Sequence, residues 1–136
     1  MRRFSDIVYA LMRIIVGFLF SCHGAQKLFG VLGGAGQPHN SQTLVGGIIE
    51  FGGGILIAIG LFSAVAAFIA SGEMAVAYFT VHAPHGFWPI VNKGELAVAY
   101  CFVFLYISTQ GDGPFSVRRL LQTRPGKSSP AAMQRV

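Results

Sequence analysis

The chain is short of charge. Of its 136 residues, 10 are Lys or Arg and 5 are Asp or Glu, 11% together. Soluble domains carry about 25%, so a soluble fold is not expected. Cysteine is scarce as well. Cys22 and Cys101 are the only two, and they form no CxxC pair. By counting, both fall in the outer thirds of apolar segments. Buried free thiols are the plain reading, and a bridge between neighbouring helices is the alternative. There is no haem-ligand pair, iron–sulfur spacing, Rossmann glycine motif or P-loop. A redox role would therefore need a cofactor borrowed from elsewhere. The pI is near 9.7, yet no basic stripe or recognition motif accompanies it, so no nucleic-acid partner is expected.

What is abundant is apolar. The chain is 53% hydrophobic with mean hydropathy +0.59, and its 18 glycines concentrate in the apolar runs. Closely packed membrane helices have that composition. A bilayer-spanning helix needs about 20 mostly apolar residues. Four segments are candidates: Ile7 to Phe29, Thr43 to Leu61, Ser63 to His82, and Glu95 to Thr109. The last is the shortest and would need tilt or local thinning. Arg2 and Arg3 precede the first segment. Arg118, Arg119, Arg124, Lys127 and Arg135 follow the last. The positive-inside rule puts both termini in the cytoplasm, which an even number of spans requires.

The fold class expected is all-α: an integral membrane up-down four-helix bundle over residues 1–117. Residues 118–136 are expected to form a basic cytoplasmic tail, disordered over most of its length. Ser116 is positioned to cap a short helix beginning near Val117. A cleaved signal is disfavoured, because Arg13 interrupts the first apolar run and no small-x-small site follows.

Ionisable residues inside the apolar segments are the candidate site. A charge in hydrocarbon costs about 3 kcal/mol even on the lenient insertion scale, so such residues pair or line a polar cavity. Counting depth at about 1.5 Å per residue suggests two layers. Arg13 and Glu73 form an inner pair, which would either fix helix register or belong to a substrate or proton pathway. His23, Lys27 and Glu50 form an outer layer suited to ligand or proton handling, with His23 the group that titrates most easily near neutral pH. His82, His85, Lys93 and Glu95 add polar groups in the outer loop, and His82, His85 and Glu95 are candidates for the substrate or proton pathway. His82 and His85 have i, i+3 spacing but no third ligand nearby, so no metal site is expected. The loop reads more simply as an interfacial cap, with Phe87 and Trp88 suited to the headgroup belt.

Several stretches together resemble the DoxX family. They are Arg13-Ile14-Ile15-Val16-Gly17 with His23-Gly24-Ala25-Gln26-Lys27-Leu28-Phe29-Gly30, and Glu50-Phe51-Gly52-Gly53-Gly54. Met74-Ala75-Val76-Ala77, His82, Gly86-Phe87 and Glu95-Leu96-Ala97 follow, and the closing element is Gly111-Asp112-Gly113-Pro114-Phe115-Ser116. Asp112 stands where that family's closing element has Pro, and Arg118 where an Asp is usual. The resemblance implies a small four-helix protein of the prokaryotic cytoplasmic membrane, whose namesake is a subunit of a thiosulfate:quinone oxidoreductase. Three functions then compete. The first is a subunit or anchor of an oxidoreductase, with His23, Lys27 and Glu50 near a quinone or sulfur substrate and a soluble or membrane oxidoreductase as partner. The second is a small-solute or proton-coupled carrier, which four helices would support only as a homo-oligomer. The third is a scaffold whose charges only hold the bundle together.

Overall fold

The computed structural model describes residues 1–34 and 40–123. The expected disorder of the tail falls mainly on 124–136 and lies outside them. Every regular element among the described residues is helical. α1 is Arg2–Phe29, α2 is Ser41–Ile59, α3 is Ser63–His85, and all three are long and apolar enough to cross a membrane. α4 is Glu95–Gln110, apolar but only 16 residues. It rises about 24 Å at 1.5 Å per residue, short of a ~30 Å hydrocarbon core. A 3₁₀ turn (Ala83–His85) and a one-turn helix (Pro89–Asn92) shape the connection from α3 to α4. α5 is Val117–Gln122, and Ser116 Oγ accepts from the Arg119 N–H at 3.3 Å. The cap expected from the sequence is there, and the first residues of the tail are helical.

Each helix follows from local chemistry. Asn40 starts α2 by accepting from the Thr43 N–H at 2.8 Å, which satisfies one of the unpaired donors of the first turn. Gly60 ends it in the left-handed region at φ +73, where a glycine has no Cβ to strain. α2 and α3 are not uniform α-helix. Ile49–Gly53 and Tyr78–His82 are π segments, a widened turn that recurs at functional sites.

Two seams hold the helices together. Between α1 and α2 the backbones themselves meet. A Cβ on Gly24 would fall on the backbone of Phe51, and one on Gly17 would lie 2.6 Å from the Ala58 nitrogen. Without a hydrophobic drive between helices in lipid, such close approach is what small residues provide. Between α3 and α4 a row of Ala66, Ala67 and Ala70 packs against Tyr100, Phe104 and Ile107. Ser71 Oγ donates to the Cys101 carbonyl across that seam at 2.7 Å. Phe20 joins the two halves, with its ring 4.5 Å from Phe104 and 5.5 Å from Tyr100. Facing outward are apolar side chains such as Phe18, Phe68 and Phe102. Cys22 and Cys101 are free thiols, each half-buried.

At the end where α2 turns into α3, polar groups form a knot. Arg13 is fully buried. Its Nη1 donates to the carbonyls of Ile57 (2.7 Å) and Ala58 (2.9 Å), and its Nη2 to that of Phe115 (2.9 Å). The guanidinium thus serves two carbonyls of the last turn of α2, Ile57 (which also accepts from the Gly60 N–H) and Ala58, where a cation also suits the helix dipole. Asp112 does the converse for α3. Its Oδ1 accepts from the Ser63 N–H at 2.8 Å and its Oδ2 from Arg118 at 3.2 Å. Tyr9 ties α1 to the same segment by donating to the Gly111 carbonyl at 2.6 Å.

Two outcomes follow. Gly24→Val forces backbone atoms apart, and thermal unfolding in detergent should show a loss of about 3 kcal/mol, the upper end for overpacking. Asp112 gives a pH signature. Burial alone would raise its carboxyl, but the hydrogen bond from Ser63 and the bond and charge of Arg118 outweigh that and hold it below the usual range. A depressed folded-state value contributes stability above the unfolded pKa, and that stability is lost as pH falls through the folded one. Asp112→Asn should therefore cost about 0.5–1 kcal/mol at neutral pH. The gap between wild type and variant should close as pH is lowered through the folded-state value.

Candidate functional site

At the opposite end from the knot, α1, α2, α3 and α4 enclose a cavity of about 500 Å³. Its apolar side includes Phe20, Met74 and Leu96. Its polar side holds His23 and Lys27 from α1, Glu50 from α2, Glu73 and His82 from α3, and Tyr100 from α4. Asn40, Gln42, Thr43 and Lys93 also line it. Side chains from four helices and from the connections on either side of the α2–α3 pair (Asn40 and Lys93) converge here, and most of the intramembrane ionisable groups of the described residues are among them.

The core of the site is an ion pair. Lys27 Nζ lies 2.7 Å from Glu50 Oε1, with the Glu50 side chain 3% exposed and that of Lys27 38%. The ammonium carries three donors, so two remain for other partners. Helical spacing puts Gly17, Gly24 and Lys27 on the α1 face that meets α2. Glu50 sits in the π segment of α2, one turn from Gly46 and Gly47. Glu73 reaches the same place from α3. Its Oε1 lies 3.2 Å from where a Cβ of Gly46 would sit, and Lys27 Nζ lies 3.8 Å from that point. Glycine at 46 leaves room for both groups. The second oxygens, Glu50 Oε2 and Glu73 Oε2, are buried and have no hydrogen-bond partner among the described residues. His23 is half-buried and meets Tyr100 edge to face at 6.1 Å.

The wall toward the loop is held by Asn92. It is 6% exposed, and its amide donates to the Gly86 carbonyl (2.7 Å) and the Tyr78 hydroxyl (3.2 Å). Its side-chain oxygen accepts from the Gly94 N–H at 2.8 Å. Tyr78 in turn donates to the Phe87 carbonyl. His82 Nδ1 lies 3.2 Å from the Asn92 carbonyl, and the ring stacks on Tyr78 at 6.4 Å. The loop expected as a simple cap is thus pinned to α3 at its π segment.

The structure corrects the two-layer expectation. Arg13 does not pair with Glu73. It sits in the knot on the carbonyls of Ile57, Ala58 and Phe115 and takes no part in the cavity. The reason is length. α1 has 28 residues, about 42 Å at 1.5 Å per residue, so its first turns extend past the bilayer core and bring Arg13 level with the α2–α3 turn. Glu73 belongs instead with Lys27 and Glu50. Glu50 is ten residues before Gly60 and Glu73 ten after Ser63. Equal distances from one turn mean equal depth, a signal the sequence held. His85 and Glu95 are exposed and do not line the cavity. Tyr100 and Asn92 went unnoticed, because neither carries a charge and their partners are set by tertiary packing. Among the described residues no group of three or more His, Cys, Asp or Glu is placed to hold a metal ion.

Comparison with known proteins gives a consistent picture. The family model described as DoxX matches residues 8–83, a stretch that runs from the α1 knot to the end of the π segment in α3. An uncharacterized protein of Haemophilus influenzae is 42% identical over 120 residues, which covers 83% of this chain and 90% of that protein. No solved structure matches.

The reassignment of Arg13 is open to a direct check. The charge exchange Arg13→Glu with Glu73→Arg would restore a paired couple, and it should fail to restore folding here. Arg13→Met alone should cost about 3 kcal/mol or more, since it removes three hydrogen bonds from a charged group, each worth about 1.5–3 kcal/mol. Glu73→Gln should stay within about 0.5 kcal/mol of wild type. Rescue by the exchange in a detergent melting assay would reinstate the pair.

Proposed function

The chain belongs to the DoxX family and is an integral membrane protein with apolar transmembrane helices, and from that premise we propose that it is a subunit or anchor of a membrane-associated oxidoreductase complex. In this reading it sits in the prokaryotic cytoplasmic membrane as an up-down four-helix bundle. α4 serves as the fourth span and both termini are cytoplasmic. The basic residues at the two ends support that orientation, and local thinning or tilt accommodates the short α4. Residues 1–117 are then the membrane domain, and the cavity faces the outer leaflet.

The observation that carries the functional reading is the cavity's two-sided lining: Phe20, Met74 and Leu96 against Lys27, Glu50, Glu73 and His23. Its volume falls in the range of about 300–1,000 Å³ usual for small-molecule sites. A flat, acceptor-bearing ring such as a quinone head fits such a lining. Lys27 keeps two ammonium donors beyond the one that Glu50 takes, and Phe20 and Tyr100 offer aromatic surface. A quinone, when bound, would supply two-electron carrier chemistry, with the electrons coming from the partner oxidoreductase. This chain's residues would do the rest. Lys27 stabilises negative charge that develops on a ligand oxygen. Glu50 holds Lys27 in place, and His23, against Tyr100, exchanges protons with the ligand. Pairing this subunit with a partner agrees with the absence of a cofactor motif in the sequence.

The experiment is isolation of the tagged protein from its native membrane in mild detergent, with crosslinking to identify what accompanies it. A dehydrogenase, sulfurtransferase or oxidase subunit should come down in fixed ratio, and the complex should turn over a short-chain quinone. His23→Ala should lower that turnover by about 100-fold, the lower end for loss of a general acid–base group, with the melting temperature unchanged. Recovery of the protein alone, or full turnover in the variant, overturns the reading.

A further inference from the structure

We propose that the cavity holds one exchangeable proton on its carboxylate pair, and that Glu73 is the residue that carries it. The argument is one of charge inventory. Glu50 spends Oε1 on Lys27 at 2.7 Å and leaves Oε2 buried and without a donor. Glu73 also has a buried, donorless Oε2. It lines the same cavity as Glu50 and Lys27, and its Oε1 and Lys27 Nζ lie 3.2 and 3.8 Å from the point that a Cβ on Gly46 would occupy. Of the two ammoniums that line the cavity, Lys93 stands at its exposed rim, and Lys27 is the one at bonding distance of a carboxylate, where it takes Glu50; Glu73 is left without a paired cation among the described residues. Two like charges at one site cannot both ionise cheaply, and a buried carboxylate oxygen without a donor is costly. A proton removes both costs at once: it cancels the excess negative charge and turns one oxygen into a donor. Glu50 already holds the cation at bonding distance, so the proton belongs on Glu73.

Among the described residues, no other group that lines the cavity takes over the task. On α1, His23 meets Tyr100 edge to face and makes no ion pair among the described residues. On α3 itself, His82 is engaged with Asn92 and Tyr78. Lys93 is exposed at the loop, and Tyr100 on α4 is neutral at physiological pH. The proton on Glu73 then leaves the Lys27–Glu50 pair and Glu73 together with no net charge, with Lys93 outside this set at the exposed rim. A ligand that brings negative charge is met by a carboxyl proton, and one that brings positive charge displaces it. The inventory stands whether or not the ligand is a quinone. That this proton serves the reaction rests on the reading above.

The test is infrared spectroscopy of the full chain reconstituted in lipid vesicles, following the carbonyl stretch of protonated carboxyls across pH and after H/D exchange. The whole chain has only 5 Asp and Glu residues, which keeps assignment simple. At neutral pH a protonated-carboxyl band should be present, be lost in Glu73→Gln, and move in Glu73→Asp while staying in place in Glu50→Asp. Lys27→Met should raise it about twofold, since both carboxyls then stay neutral. Absence of the band in wild type overturns the proposal, and so does a band that moves in Glu50→Asp and stays in Glu73→Asp. A protein with the band as expected but without quinone turnover in its isolated complex keeps this inference and removes the functional reading.

Discussion

A backbone that ends a helix inside or beside hydrocarbon must find partners for its free carbonyls and N–H groups without help from water. In this chain that requirement falls on the turn between α2 and α3, and Arg13 meets most of it. A planar guanidinium with five donors reaches the end of α2 and the segment after α4 together. It thereby fixes α1, α2 and the closing segment relative to one another. Asp112 completes the arrangement from the other side, with its charge against the positive end of α3. The glycine positions along α1 and α2 make sense only once that register is set. Gly17 and Gly24 meet α2 at Ala58 and Phe51 because Arg13 holds the two helices in step.

The two ends of the molecule divide the labour. The knot leaves Arg13 Nε and Ser63 Oγ without a partner among the described residues, and the cavity leaves a second oxygen open on each of two carboxylates. What differs is the chemistry: the knot's charged groups hold backbone carbonyls and an N–H, whereas an ionised carboxylate oxygen can only accept and so marks where a donor or a proton belongs. Between them runs a close backbone contact with little side chain in it, so the cavity is built on rigid elements rather than on loops. The α3–α4 connection that supplies Lys93 is held by Asn92, whose hydrogen bonds leave it little freedom.

Much of this was written in the sequence. Three of the four expected spans, the Ser116 cap and the shared layer of Lys27 and Glu50 follow from hydropathy, turn chemistry and helical spacing. The family follows from motifs in the right order, and the match over residues 8–83 agrees. Arg13 was misplaced because depth was counted from the start of an apolar run, whereas α1 begins several residues earlier, at Arg2. Counting outward from the tight α2–α3 turn, whose position both neighbours share, would have put Glu73 beside Glu50. Asn92 and Tyr100 lay beyond such counting. Their roles depend on which helices meet through side chains, and one amphipathic stripe does not specify that when every helix is apolar all round.

The π segment of α2 has a geometric result of its own. One widened turn inserts a residue into the helical path, which shifts the phase of everything on one side of it by about 100° relative to the other. Before it, Gly46 and Gly47 are buried, and after it Gly54 and Ile57 are. A regular helix would carry one continuous buried stripe past both groups. Both halves of α2 nevertheless pack on α1, Gly47 beside Leu28 and Gly54 beside Gly17 and Ser21, while the widened turn between them also meets α3. The acid thus sits at the joint where α2 serves two neighbours at once.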